Sequence, residues 1–191
     1  MPEFTCDWFS QNIPALTEVL AKCKGRSDLR ILEIGCFEGR GTLWFLDQFP
    51  GSTLTCIDTF KGSQEHEHFK MEFGDTYNKF TSNTRESTNI HLMVGKSLDQ
   101  LIKLHQLTYT LWYDIVYVDG SHMACDVITD LVLSWPLLKK GGVMFMDDYE
   151  WPGTDNFEQH MPKMAIDFFT TAFIEQLKFL HKGYSVAVEK L

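Results

Sequence analysis

The sequence predicts an open α/β fold in which helices cover both faces of a largely parallel sheet. Short apolar runs alternate with helix-compatible segments through most of the chain, as in repeated βαβ units. The runs are nearly continuous in apolar character, which is typical of strands buried on both faces. The C-terminal residues form two further strand-like runs joined by a tight turn at Lys182-Gly183, which adds an antiparallel strand. We therefore predict a Rossmann-like, doubly wound sheet, mostly parallel, with an antiparallel C-terminal hairpin strand.

The elements follow one another in a regular order. The N-terminal segment, residues 1–28, is expected to be helical, with a leading helix near 14–24. Five parallel strands are predicted at 29–34, 53–58, 90–94, 114–119 and 142–147. Helices are predicted at 41–49, 97–106 and 123–138, and a last one from Pro162, a residue favoured in the first helical turn, to about Phe173.

One connection differs from the others. Residues 60–88 are polar and form a long link for a compact domain. We expect this segment to carry a short helix of its own and regard it as a candidate lid. His66 and His68 within it are two residues apart, a spacing that does not place them on one helix face, so a solvated loop is favoured over a metal site.

Composition limits the class of protein. The 191 residues, with 44% hydrophobic and 23% charged side chains, predict one globular domain over residues 1–191. The net charge of −9 argues against sequence-independent binding to nucleic acid, which needs a basic face.

Five widely spaced cysteines suggest reduced thiols. Glu3 and Asp7 lie where a signal peptide would be basic, and no run is long enough to span a bilayer. We expect a cytoplasmic protein that has no membrane partner. These features are also compatible with a homo-oligomer.

A glycine-rich turn follows the first strand. In ILEIGCFEGRGT, residues 31–42, the strand delivers Glu33 to the sheet edge, and Gly35, Gly39 and Gly41 permit a tight turn that a ligand can approach closely. The spacing differs from the dinucleotide fingerprint G-x-G-x-x-G, which disfavours a nicotinamide or flavin cofactor. Asp58 ends the second strand, where an acid can accept both hydroxyls of a ribose.

Four motifs in order resemble one family. E-x-G-x-x-x-G on strand one, Asp58 on strand two, Gly95-Lys96-Ser97 after strand three and VDGSH on strand four resemble the class I S-adenosylmethionine-dependent methyltransferases. The resemblance is closest to the small-molecule O-methyltransferase branch that includes macrocin-type enzymes, the methyltransferase family 24-like group. More distantly, the chain is similar to catechol-type enzymes. The resemblance implies a seven-stranded sheet with a reversed last strand.

The resemblance also implies a set of cofactor contacts. Glu33, Gly35, Cys36 and Gly39 would lie near the methionine moiety and Asp58 at the ribose, and Thr59 is a further expected cofactor contact. Gly95, Lys96 and Ser97 would lie near the adenine, and Asp119 would border the cofactor.

Three further acids predict a metal site. Asp119 follows strand four, and Asp147 and Asp148 follow strand five. Because neighbouring parallel strands end at the same crevice, these carboxylates should converge. They would repel one another unless a hard cation such as Mg²⁺ lay among them. Related O-methyltransferases place metal-binding acids at the same strand ends. The cation would bind an acceptor hydroxyl and lower its pKa.

The expected catalytic residues are His122 and Asp119. Catechol-type enzymes carry a lysine base at the position of His122, whereas macrocin-type enzymes carry an aspartate one residue earlier, where this chain has Ser121. A histidine is a competent base near neutral pH, although a structural role at the start of the next helix is the alternative.

The sequence therefore predicts an S-adenosylmethionine-dependent methyltransferase that O-methylates a small hydroxylated molecule with the help of a divalent cation. Two alternatives stay open. One keeps the cofactor but changes the acceptor to a nitrogen atom or a macromolecule. The other is a non-catalytic S-adenosylmethionine-binding protein, suggested by the missing lysine or aspartate base.

Overall fold

The computed structural model describes residues 1–62, 74–107, 112–152 and 161–191. Within these ranges the chain forms a seven-stranded sheet in the order β3-β2-β1-β4-β5-β7-β6. The strands are β1 Arg30–Ile34, β2 Thr53–Asp58, β3 Ile90–Val94, β4 Tyr113–Val118, β5 Leu138–Met146, β6 Leu177–Lys182 and β7 Val186–Lys190. The first five pair in parallel, and β7 runs antiparallel between β5 and β6. The predicted fold class is confirmed.

Helices lie between the strands. They are α1 Ile13–Val19, α2 Arg40–Gln48, α3 Thr76–Thr84, α4 Ser97–Leu107, α5 Ala124–Ser134 and α6 Pro162–Ala172, with short 3₁₀ turns at Ser10–Asn12, Ala21–Cys23, Trp135–Leu137 and Ile174–Gln176. The short helix expected within residues 60–88 is α3. His66 and His68 lie outside the described residues, so their predicted loop stays a prediction.

Two apolar clusters, one on each face of the sheet, form the core. Side chains alternate along each strand, so that Leu32 of β1 faces one cluster and Ile31 faces the other. Helices α4, α5 and α6 pack on the first face, for example through Leu131 and Phe169. Helices α1, α2 and α3 cover the second, for example through Phe45. Coverage of both faces explains the continuous apolar runs.

Three predicted boundaries were wrong. The helix expected at 123–138 ends at Ser134 and continues as a 3₁₀ turn, because Pro136 has no N–H to donate to the preceding turn. Strand β5 correspondingly begins at Leu138 rather than 142. The leading helix is also shorter than expected, ending at Val19 before the 3₁₀ turn at Ala21–Cys23.

The carboxyl ends of the central strands lie side by side at one edge of the sheet, where Gly35 permits the ends of β1 and β4 to approach closely. The Gly35 N–H donates to Ile57 O at 2.9 Å, and the Asp119 N–H donates to Ile34 O at 2.8 Å. Gly35 has φ +86°, and a Cβ there would lie 1.9 Å from the backbone oxygen of Asp119. A side chain would therefore push the end of β4 away from β1.

Candidate active site

A cavity of about 1,540 Å³ lies along this edge of the sheet. Twelve of the thirteen predicted site residues line it: Glu33, Gly35, Cys36, Asp58, Thr59, Gly95, Lys96, Ser97, Asp119, His122, Asp147 and Asp148. Gly39 does not. It is the N-cap residue that precedes α2, with φ +87°, and a Cβ there would lie 3.2 Å from the side chains of Phe80 and Thr84. Gly39 therefore allows the left-handed turn before α2 and the close packing of α3 against it.

Glu33 lies beneath the glycine turn. Its carboxyl is 1% exposed and accepts hydrogen bonds from the Thr42 hydroxyl at 2.5 Å and from the Cys56 thiol at 3.5 Å. Burial raises the pKa of Glu33 to about 7. A Cβ on Gly41 would lie 2.5 Å from Glu33 Oε1, so this glycine makes room for the carboxyl.

Asp58 joins two strained loops. Its Oδ2 accepts the Phe37 N–H at 2.8 Å, and its Oδ1 accepts the Phe60 N–H at 2.6 Å. Phe37 and Phe60 have φ values of 46° and 55°, a conformation that is unfavourable for bulky side chains and is concentrated at functional sites. Asp58 therefore shapes the crevice and retains lone pairs for a ligand, since a carboxylate has about four.

Three carboxylates converge at the other end of the cavity. One ligand atom each from Asp119, Asp147 and Asp148 lie within 4.8 Å of one another. Burial, followed by the negative charge of Asp147 and Asp148, raises the pKa of Asp119 well above its usual value. Burial, with the charge of Asp148, raises the pKa of Asp147 to about 7. A cation among them would remove this repulsion, and oxygen ligands suit Mg²⁺.

Two residues at this cluster were missed by sequence reasoning. Tyr117 is not among the predicted site residues, but its hydroxyl lies 2.6 Å from Asp147 Oδ2 and 3.2 Å from Asp119 Oδ2. Asn12, in the N-terminal segment, donates from its side chain to Asp147 Oδ2. The only signal for Tyr117 was its position two residues before Asp119, on the same side of β4. Nothing in the sequence pointed to Asn12.

His122 and Asp148 form a pair. His122 Nε2 lies 2.9 Å from Asp148 Oδ2, and the Tyr184 hydroxyl donates to Asp148 Oδ1 at 2.9 Å. The imidazole stacks on Trp151 with ring centroids 4.3 Å apart. Asp148 has φ +57°, a conformation that aspartate tolerates better than most residues. Trp151 lines the cavity, whereas Tyr149 is 6% exposed and donates to Asp167.

The N-terminal segment covers part of the cavity. Phe4, Cys6, Trp8, Phe9 and Gln11 contribute to its lining. Thr5 donates from its N–H to Glu38 Oε2 at 2.6 Å and from its hydroxyl to Glu38 Oε1 at 2.5 Å. Lys79 of α3 also lies 3.2 Å from Glu38. The segment is therefore fixed to the glycine turn and to α3.

The family follows from this arrangement and from a family model. Residues 32–149, from the glycine turn to the acidic cluster, match the model described as a methyltransferase domain. The chain belongs to this methyltransferase family. The methyltransferase resemblance found in the motifs is thereby confirmed.

Individual relatives are more distant. A curated relative, uncharacterized protein R132 of Acanthamoeba polyphaga mimivirus, is 29% identical over 135 residues, which are 71% of this chain and 58% of that protein. The chain thus spans less than two thirds of that relative. The O-methyltransferase from Bacillus cereus in complex with SAH has a TM-score of 0.69 at 18% identity, with 98% of this chain and 84% of that chain covered.

A second solved structure shares the fold. MycE methyltransferase from the mycinamycin biosynthetic pathway, in complex with Mg and SAH, has a TM-score of 0.67 at 17% identity, with 97% of this chain and 51% of that chain covered. At these identities the two structures support the fold alone.

Within the described residues, no helix of this methyltransferase combines the length and apolar character needed to cross a membrane.

Proposed function

We propose that this methyltransferase transfers the methyl group of S-adenosylmethionine to a hydroxyl oxygen of a small molecule, with a divalent cation held by Asp119, Asp147 and Asp148. One observation carries the proposal: a single cavity contains the glycine turn and Asp58 at one end and the three carboxylates at the other. Its volume of about 1,540 Å³ exceeds the ~300–1,000 Å³ of ordinary ligand pockets, which leaves room for cofactor and acceptor together.

The cofactor end fits a nucleoside carrying an amino acid. Gly35 and Cys36 would border the methionine moiety, with Glu33 below them. Asp58 and Thr59 would face the ribose hydroxyls, and residues 95–97 would border the adenine. The SAH bound to the two structural neighbours supports this assignment. Gly39 is proposed to act through the turn it allows.

The acidic end fits a hard cation. Asp147 is a buried carboxyl and Asp119 a half-buried one, and both have raised pKa values. Hydrogen bonds within the protein therefore compensate their charged forms only in part. The Mg in the MycE complex supports the same assignment. A bound cation would orient an acceptor hydroxyl and lower its pKa.

His122 is the proposed base. Its imidazole lines the cavity and lies through Nε2 at 2.9 Å from Asp148 Oδ2. In its neutral form the ring has one unprotonated nitrogen, which would accept the acceptor's proton. The acceptor oxygen forms a bond to the methyl carbon as the carbon–sulfur bond breaks, and the sulfur retains that electron pair. Holding both reactants in line contributes much of the rate. Trp151 would keep the imidazole oriented.

Transfer of a radiolabelled methyl group from S-adenosylmethionine to a panel of hydroxylated small molecules tests this function. We expect label in at least one alcohol or phenol, with transfer lost in EDTA and restored by Mg²⁺. Asp147→Asn should lose transfer, whereas the exposed Asp99→Asn should not. Label found instead in an amine panel or a protein would favour the alternative acceptors. Unchanged transfer in EDTA would remove the cation and leave the His122–Asp148 pair to act alone.

A further inference from the structure

We infer that Tyr117 and Asn12 are positioning residues that hold the Asp147 carboxylate ready for the cation. The inference deepens the proposed function and rests on its cation site. Asp147 is 5% exposed, so protein donors must replace most of the water its carboxylate loses on folding.

Among the described residues, three donors approach the Asp147 carboxylate. The Tyr117 hydroxyl at 2.6 Å and the Asn12 carboxamide both reach Oδ2. The Asp148 backbone N–H donates to Oδ1 at 2.8 Å. Because a carboxylate offers about four lone-pair sites, one site remains, and it lies on Oδ1. The donors thus fix the rotation of the carboxyl and leave one oxygen for a ligand.

The Tyr117 hydroxyl cannot serve both acids. It has one proton, and the shorter distance is to Asp147, at 2.6 Å against 3.2 Å for Asp119. Within the described residues, no other hydrogen-bond donor reaches the Asp119 side chain. Asp119 therefore keeps nearly all its capacity to bind a cation, at a separation from Asp147 that the hydroxyl fixes.

Asn12 holds the hydroxyl from the other side. Its Nδ2 lies 3.3 Å from Tyr117 Oη, and the residue is 2% exposed. Asn12 precedes α1, whose Leu16 and Val19 are buried in the core beside the sheet. The N-terminal segment therefore contributes directly to the geometry of the acidic cluster. Partners that orient metal ligands in this way typically change metal affinity 10- to 100-fold when removed.

The test compares two tyrosines of the same strand. Tyr113 is also buried on β4, and its hydroxyl donates to Thr55 at 3.0 Å, away from the acids. Tyr117→Phe should weaken Mg²⁺ or Mn²⁺ binding, measured by calorimetry and Mn²⁺ spin resonance, about 10- to 100-fold. Tyr113→Phe should leave it within about twofold. SAH affinity without metal should stay within about twofold of wild type in both variants, which shows that the cavity is intact.

Asn12→Ala provides a second variant with the same expectation. The double variant should lose less than the sum of the two single changes in binding free energy, since both act on one oxygen. Wild-type-like cation affinity in Tyr117→Phe and Asn12→Ala would overturn the inference and leave the proposed function standing. A wild-type protein that binds SAH but no cation would overturn the cation site itself, and this inference with it.

Discussion

The Asp58 side chain links two loops, and we propose that it also binds the ribose of the cofactor. Its two oxygens accept the N–H groups of Phe37 and Phe60, which hold two unfavourable backbone conformations. The sequence predicted the position of this acid from the strand end alone. It could not predict the two backbone bonds, because they depend on how the neighbouring loops fold back onto the same carboxyl.

The Asp58→Asn variant should weaken SAH binding. Loss of a charge-assisted hydrogen bond to the ribose costs on the order of 1.5–3 kcal/mol, or about 10- to 100-fold in affinity. Asparagine is preferred to alanine because its oxygen can still accept one of the two loop N–H groups. Calorimetric titration gives the affinity, with urea unfolding as the control for stability. Unchanged SAH affinity would remove Asp58 from the ribose site.

His122→Ala should lower kcat once an acceptor is known, with little effect on SAH affinity. The ascending limb of the pH–rate profile should disappear, because it reports deprotonation of the base. His91→Ala, an exposed histidine on β3, is the matched control. If the His122 variant loses stability but keeps turnover and pH profile, the residue only starts the following helix, and the cation alone acidifies the hydroxyl.

At the level of elements, the positions of the strand ends could be predicted from the sequence. The residues that contact the strand-end acids, Asn12 and Tyr117, could not. Continuous apolar runs ending in Gly or Asp located β1, β2 and β4 to within one residue. The sequence did not indicate that the N-terminal segment contributes to the site, because Asn12 and Asp147 are 135 residues apart along the chain. Tyr117 was missed for a related reason: an aromatic residue in an apolar strand gives no sign that its hydroxyl meets a carboxylate.

Gly35→Ala should destabilise the protein far more than Gly25→Ala. Both glycines have left-handed φ values, +86° and +82°, but a Cβ at Gly25 meets nothing within 4 Å, whereas one at Gly35 meets Asp119 O at 1.9 Å. The Gly25 variant should cost about 1–2 kcal/mol for the backbone conformation alone. The Gly35 variant adds the separation of β1 from β4, which urea unfolding should detect. Equal costs would mean that the strand ends do not need this close approach.

At the scale of the whole molecule, we expect two buried acids outside the acidic cluster to make stability depend on pH. Burial raises the pKa of Glu33 and of Asp130 to about 7, and Asp130 Oδ1 is buried without a hydrogen-bond partner among the described residues. The folded protein therefore holds these protons more tightly than the unfolded chain. Their contribution is fully present below the unfolded pKa of about 4 and is lost as pH rises to about 7.

Asp130→Asn should reduce this dependence. In wild type, the Asp130 contribution to the free energy of unfolding should fall by on the order of 1–3 kcal/mol between pH 4 and pH 8. The variant cannot ionise at this position, so its stability relative to wild type should improve as pH rises. Urea unfolding at both pH values measures the difference, with Asp99→Asn, at an exposed position of α4, as a control. A pH-independent difference between wild type and Asp130→Asn would contradict the assignment.

Fold class and the main site positions followed from periodicity and motif order, since local sequence determines strands, turns and strand-end acids. The acceptor did not, because loops and the N-terminal segment contribute much of the cavity lining, and their positions depend on tertiary packing.

The most direct test of the proposed function is a calorimetric titration of the protein with SAH, in the presence and absence of Mg²⁺, with NAD as the comparison ligand. We predict saturable, one-site SAH binding under both conditions, a separate Mg²⁺ binding event, and poor binding of NAD. Absence of SAH binding, or an NAD affinity comparable to that for SAH, would contradict it.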